Sequence, residues 1–148
     1  QIEECIIKCD PNMIERIILN LLSNSIKFTD KNGKIFVDIF INSEFVQIRV
    51  KDNGIGIPID MQDKIFDRFV QSDKSLTRKN EGSGIGLSIV SSMVKLNGGE
   101  IYLESDGENG TEFEILLPNI CIEEEVKEDY FVSKNQIELE LSDIYELI

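Results

Sequence analysis

Between residues 12 and 28 the apolar side chains Ile14, Ile17, Ile18, Leu21, Leu22 and Ile26 recur three and four positions apart, and a few residues later the spacing changes to two. The first pattern predicts an amphipathic helix and the second a strand. Within 45–51, Val46, Ile48 and Val50 fall on one face and Gln47, Arg49 and Lys51 on the other, so the strand has one side to bury. Residues 34–41 precede it across Asn42, Ser43 and Glu44, which makes a hairpin. A helix with one apolar stripe and a hairpin with one apolar face bury both by packing together, which constrains the chain to helices layered on a sheet.

The remaining punctuation fits that plan. Asp10 before Pro11 predicts an N-cap followed by proline at the first helical position. Residues 2–9 predict a strand, and residues 59–66 a short helix. A further helix carries Leu87, Val90, Met93 and Val94 and stops at Gly98 and Gly99. Residues 100–105 and 111–117 predict a second hairpin around a glycine-rich turn. The expected class is an α+β two-layer sandwich, a mixed and mostly antiparallel sheet covered on one face by about three helices.

Composition narrows the function. The 148 residues hold 28 acidic and 15 basic side chains, a net charge of −13, which opposes broad binding to nucleic acid or anionic lipid. There is no histidine, which removes histidine triads, histidine metal sites and imidazole acid/base chemistry. No apolar run approaches the about 18 residues of a membrane span, and residues 1–20 lack a signal pattern. The expectation is a cytoplasmic domain without direct membrane contact. Cys5, Cys9 and Cys121 sit in or beside apolar stretches, as buried reduced thiols do, rather than with the ligand count of a metal site. Residues 71–81 contain one apolar side chain, Leu76, so a mobile loop is expected there. Residues 119–148 carry nine acidic and two basic residues, and read as an acidic C-terminal extension to a domain spanning 1–118. Ile137, Leu139 and Leu141 alternate within it, which predicts that it packs back on the domain.

Three features bear chemistry. Asn20, Asn24 and Lys27 are spaced by four and three on the first helix, so two amides and an ammonium share a column roughly opposite the Ile/Leu arc. Neutral amide oxygens suit Mg²⁺ beside a polyphosphate, and an ammonium neutralises phosphate; the plainer alternative is a solvated helix face. Asp52 ends the second hairpin strand just before Gly54 and Gly56. A buried carboxylate there would accept from the exocyclic amine of adenine and repel the carbonyl of guanine; the plainer alternative is a tight turn. Gly82, Gly84 and Gly86 open the later helix, whose N-terminal amides can hold phosphate. Neither a GxGxxG nor a GxxxxGK[ST] motif is present.

Taken in order, NLLSNSIKF, DNGIGIP, IFDRF and GSGIGLSIV resemble the N, G1, F and G2 boxes of sensor histidine kinase catalytic domains, over roughly residues 3–118. These domains share a superfamily with gyrase, a heat-shock chaperone and the MutL repair protein. The resemblance implies a layered fold in which ATP lies between the first helix and a flexible lid, with Mg²⁺ as companion ion. By motif position, Asn24 matches a Mg²⁺ ligand, Asn20 its neighbour at the metal and phosphates, and Lys27 a phosphate contact. Asp52 matches the adenine-binding aspartate, Gly54, Gly56 and Ile57 the G1 turn, and Gly82, Gly84, Ile85, Gly86 and Leu87 the phosphate-side G2 loop. Phe66 and Phe69 match the F box, with a core role and a lid-hinge role both open. Gln71 stands where many relatives carry arginine facing the phosphates, leaving Lys74 or Arg78 as substitutes.

Asn20 replaces the glutamate that serves as general base in the ATP-hydrolysing relatives, and asparagine takes no proton at neutral pH. The resemblance therefore implies a kinase whose acceptor histidine lies on a separate dimerisation domain, with a response regulator as an indirect partner. An ATPase of the same superfamily and a non-catalytic nucleotide-binding module are the competing readings.

Overall fold

The computed structural model describes residues 7–67 and 85–120. In chain order these form α1 (Pro11–Phe28), β1 (Ile35–Ile41), β2 (Phe45–Asp52), α2 (Ile59–Gln62), α3 (Gly86–Leu96), β3 (Glu100–Glu104) and β4 (Thr111–Pro118). The strands make one sheet in the order β1-β2-β4-β3, and all three of these pairings are antiparallel. No helix among the described residues is long and apolar enough to cross a membrane.

The N-terminus of α1 is held as its sequence predicts. The Asp10 carboxylate accepts from the backbone N–H groups of Asn12 and Met13 at 3.0 and 3.3 Å, and Pro11 occupies the first turn, where its missing N–H costs nothing. A second tie was not legible: the Asn97 side-chain oxygen accepts from the Asp10 N–H at 2.9 Å, and its amide donates to the Met93 carbonyl at 2.9 Å. The start of α1 is thereby pinned to the end of α3, where Gly98 adopts a φ of +72° and turns the chain out of the helix.

The two helices and the sheet close over one core. Ile17 and Leu21 of α1 and Val90 and Val94 of α3 meet Val46, Ile48 and Val50 of β2 and Phe113, Ile115 and Leu117 of β4. Fully burying one such side chain is worth about 1.5–3 kcal/mol. The inward series does not end on apolar residues. Asp52 continues it on β2, Thr111 begins it on β4, and the two are directly paired across the strands, so a carboxylate and a hydroxyl cap the core at one end.

Three expectations need correction. Ile26, read as part of the apolar stripe, is exposed, whereas Leu19 and Ser25 are buried; α1 packs against both α3 and β2, and Ser25 reaches Asp52 of β2. The polar column is accordingly no solvated face: Asn20, Asn24 and Lys27 are all half-buried, and Asn24, seven residues after the buried Ile17, lies nearly on the same line of the helix. The helix expected over 59–66 is regular only over α2. Beyond it Lys64 N–H donates to Met61 and Asp67 N–H to Lys64, a three-residue spacing that makes tight turns instead of α-helix. Of the strand expected over 2–9, Ile7 forms a bridge and Lys8 N–H donates to the Ile120 carbonyl; residues 2–6 lie outside the described residues. Cys9 is a free, half-buried thiol, with burial raising its pKa; Cys5 and Cys121, the 71–81 segment and the acidic extension from residue 121 on also lie outside them.

β1 is an edge strand of unusual composition. Val37, Ile39 and Ile41 lie opposite Val50, Ile48 and Val46, on the core side of the sheet, yet they are 45%, 62% and 39% exposed. Phe36 and Phe40, on the other side, are exposed too.

Candidate nucleotide site

The capped end of the core is where the predicted site residues gather. Asp52 is only 6% exposed. Its Oδ1 accepts from the Gly54 N–H at 3.0 Å and its Oδ2 from the Ser25 hydroxyl at 2.9 Å. A carboxylate offers about four acceptor positions, so acceptor capacity remains on a buried anion that no described ion pair neutralises.

The loop after Asp52 is clamped on two sides. Ile55 N–H donates to the last carbonyl of α1, that of Phe28, at 3.1 Å, and a Cβ on Gly54 would stand 2.3 Å from that same oxygen. Only glycine lets the loop cross the helix end so closely. On the far side Ile57 N–H donates to Ser105 Oγ at 2.9 Å, and the Gln62 amide bridges the carbonyls of Ile57 and Ser105 at 2.8 and 2.9 Å. Gly56 lies between these anchors against the turn that joins β3 to β4.

One turn back along α1, Asn24 donates its amide to Asn20 Oδ1 at 3.3 Å. Asn20 in turn touches the start of α3: a Cβ on Gly86 would come within 2.8 Å of its Nδ2. Among the described residues no side chain caps α3, whose flanking residue is Ile85, so the first amides, at Gly86 and Leu87, are of the kind that can hold an anion. Lys27 completes the column with its Nζ 5.5 Å from the Phe28 ring centroid. Partial burial lowers its pKa from the ordinary lysine value.

Two sets of contacts thus join α1: Asp52 bonds to Ser25, and Asn24 leads through Asn20 to Gly86, with Ser25 and Asn24 successive residues of the helix. Three of the sequence motifs meet along a single helix. Phe66 is brought to the core instead, edge-to-face with Phe113 at 6.4 Å between ring centroids. Gly82, Gly84, Phe69, Gln71, Lys74 and Arg78 lie outside the described residues.

Ser25 and Thr111, 2% and 8% exposed, were not singled out in the sequence. A signal existed for both: Ser25 falls four residues after Leu21 on the buried stripe, and Thr111 shares the inward alternation of Phe113, Ile115 and Leu117. Gln62 and Ser105 carried no such mark.

The donor set sets limits on a metal. Among the described residues no group of three or more histidine, cysteine, aspartate or glutamate side chains could hold one, so a protein-only cage for Zn²⁺ or Ca²⁺ is not formed there. The two neighbouring side-chain amides, joined by the Asn24–Asn20 hydrogen bond, offer neutral oxygen donors of the kind that suit Mg²⁺, which keeps waters and is commonly shared with substrate phosphates.

The fold is a layered α+β domain with these candidate residues gathered along α1, and the comparisons give its class. The model of the family described as histidine kinase-, DNA gyrase B-, and HSP90-like ATPase matches residues 9–120, and the chain belongs to that family. It is 43% identical over 111 residues to the signal transduction histidine-protein kinase ArlS of Staphylococcus aureus, covering 75% of this chain and 25% of ArlS. It is 35% identical over 122 residues to the circadian input-output histidine kinase CikA of Synechococcus elongatus, covering 82% of this chain and 16% of CikA. Among solved structures, full-length ShkA in complex with AMPPNP superposes with a TM-score of 0.65 at 31% identity, over 76% of this chain and 23% of ShkA. The chain spans a quarter or less of the length of these relatives.

Proposed function

We infer that this chain is the ATP-binding catalytic domain of a sensor histidine kinase, occupying residues 1–118 with an acidic extension over 119–148. It transfers the γ-phosphoryl group of ATP to a histidine on a separate dimerisation domain, from which a response regulator is served in turn. The observation that carries this reading is that Asp52, bonded to Ser25, and Gly86, against Asn20, both meet α1. It supports a buried acceptor for a base and helix N-terminal amides for phosphates at two points along one helix.

In this reading Asp52 accepts from the adenine amine, while Gly54, Gly56 and Ile57 shape the loop beside the base. Gly86 and Leu87 offer backbone amides to the phosphates, next to Ile85 and the preceding Gly82 and Gly84. Lys27 is the cation of the column, and its partial burial strengthens its attraction for phosphate oxygens. Asn24 and Asn20 would hold Mg²⁺ through their amide oxygens, the ion supplying charge neutralisation on the phosphates. Phe66 packs on the core against Phe113.

Transfer forms a bond from a histidine nitrogen to the γ-phosphorus and breaks that to the bridging oxygen, which leaves with ADP. The domain's task is positioning and charge stabilisation. Asn20 has no carboxylate to take a proton from water, which favours transfer over hydrolysis.

The test mixes the chain with the dimerisation domain of a sensor kinase and radiolabelled ATP. Label on the partner that is lost in acid and kept in alkali supports phosphohistidine. Acid-stable label, or label on the catalytic chain itself, overturns the assignment, and steady hydrolysis without transfer points to an ATPase.

A further inference from the structure

Serines inside helices usually return their hydroxyl hydrogen to the carbonyl three or four residues back. Two serines of α3 do so: Ser88 donates to the Ile85 carbonyl at 2.7 Å and Ser92 to that of Ser88 at 2.9 Å. Ser25 departs from this habit. Its hydroxyl is directed out of α1 to Asp52 Oδ2, 27 positions away in sequence. Both groups are buried, where an unmade hydrogen bond is costly.

The consequence lies in what the pair presents. Gly54 N–H holds one carboxylate oxygen and Ser25 the other, so the plane of the carboxylate is fixed from two sides. Because the one hydroxyl hydrogen of Ser25 is committed to Asp52, its oxygen is left with lone pairs only. The Ser25–Asp52 pair therefore presents acceptors and no free donor.

We propose that Ser25 is a positioning and specificity-determining residue for the purine: it holds Asp52 in place with both carboxylate oxygens turned out as acceptors, so that a 6-amino purine is taken and a 6-oxo purine refused. The proposal rests on the reading of Asp52 as the acceptor for the amine. A 6-amino group donates to the free acceptor positions of Asp52. A 6-oxo group would bring a third oxygen against two that cannot donate, the situation in which discrimination by buried polar groups is largest. Without the hydroxyl, Asp52 Oδ2 loses its second anchor and water can occupy the vacated space, which relaxes both orientation and selection.

The experiment is calorimetric titration of the full chain and its Ser25→Ala variant with the Mg²⁺ complexes of ATP, inosine triphosphate and purine riboside triphosphate, the last carrying only hydrogen at C6. Alanine is smaller and a better helix former, and a thermal melt checks that the fold is kept. Ser25→Ala is expected to weaken ATP about 3- to 10-fold, the range of one buried hydrogen bond. Purine riboside triphosphate should bind unchanged, and the preference for ATP over inosine triphosphate should shrink. Equal weakening of all three nucleotides would reduce Ser25 to a packing residue and overturn the proposal, as would unchanged ATP binding. Asp52→Asn separates the two layers. If it weakens ATP while Ser25→Ala does not, only the role of Ser25 falls. If neither variant affects ATP, and the parent chain binds ATP and purine riboside triphosphate equally, the reading of Asp52 falls as well.

Discussion

Asn20 of α1 and Gly86 of α3 lie in direct contact, so close that a Cβ on the glycine would sit 2.8 Å from the amide nitrogen and 2.9 Å from the amide oxygen of Asn20. Two motifs more than sixty residues apart in sequence therefore share a single van der Waals surface.

Gly86→Ala should displace the Asn20 side chain and with it the Asn20–Asn24 hydrogen bond. Overpacking of this kind costs about 1–3 kcal/mol. We expect weaker MgATP binding by calorimetry, together with a modest fall in melting temperature. A variant that binds as tightly as the parent would show that the amide can move aside at no cost to the site.

Asp52→Asn should weaken ATP binding by more than about 1.5 kcal/mol, the worth of a charge-assisted hydrogen bond. The substitution is nearly isosteric, so circular dichroism should be unchanged. Equal affinity in a folded variant would refute the assignment of the base to this carboxylate.

Asn97→Ala removes the acceptor for Asp10 N–H and the donor to the Met93 carbonyl. At about 1 kcal/mol per bond, a loss of about 1–2 kcal/mol is expected, read as a lower denaturation midpoint with unchanged slope. Nucleotide affinity should hold, because the lost contacts join the opposite ends of α1 and α3 from the site.

Lys27 supplies a pH dependence whose sign is fixed. Burial lowers its pKa, so above that value the folded chain binds fewer protons than the unfolded one, and the free domain gains stability as pH rises towards the ordinary lysine range. Phosphate acts oppositely by favouring the ammonium. ATP affinity should therefore fall as pH climbs through the lowered pKa, with proton uptake on binding. Calorimetry in buffers of different ionisation enthalpy measures that uptake, and Lys27→Met should abolish it.

Periodicity carried most of the architecture. The alternation through Val46, Ile48 and Val50, the Asp10–Pro11 start of α1 and the Gly98 stop of α3 all appear where the local pattern puts them. The site was legible as three motifs but not as one place, because what unites them is tertiary. Ser25 meets Asp52 across 27 positions and Asn97 meets Asp10 across 87, and no local spacing encodes either. The polar column was misplaced for a related reason: helical phase tells which side chains share a line, whereas the packing of α3 decides that this line is half-buried.

β1 has a consequence at the bench. Its Val37, Ile39 and Ile41 row and its Phe36 and Phe40 are open to water, and among the described residues only one of its two hydrogen-bonding edges is paired, with β2. Such a strand is a template on which a like strand can stack. Mutual repulsion from a net charge of −13 opposes that stacking, and it reaches only about 10 Å at 0.1 M salt and about 3 Å at 1 M. The colloidal behaviour of the isolated chain is therefore set by ionic strength: dilute buffer holds the edges out of reach, and added salt, which leaves the core intact, brings them together.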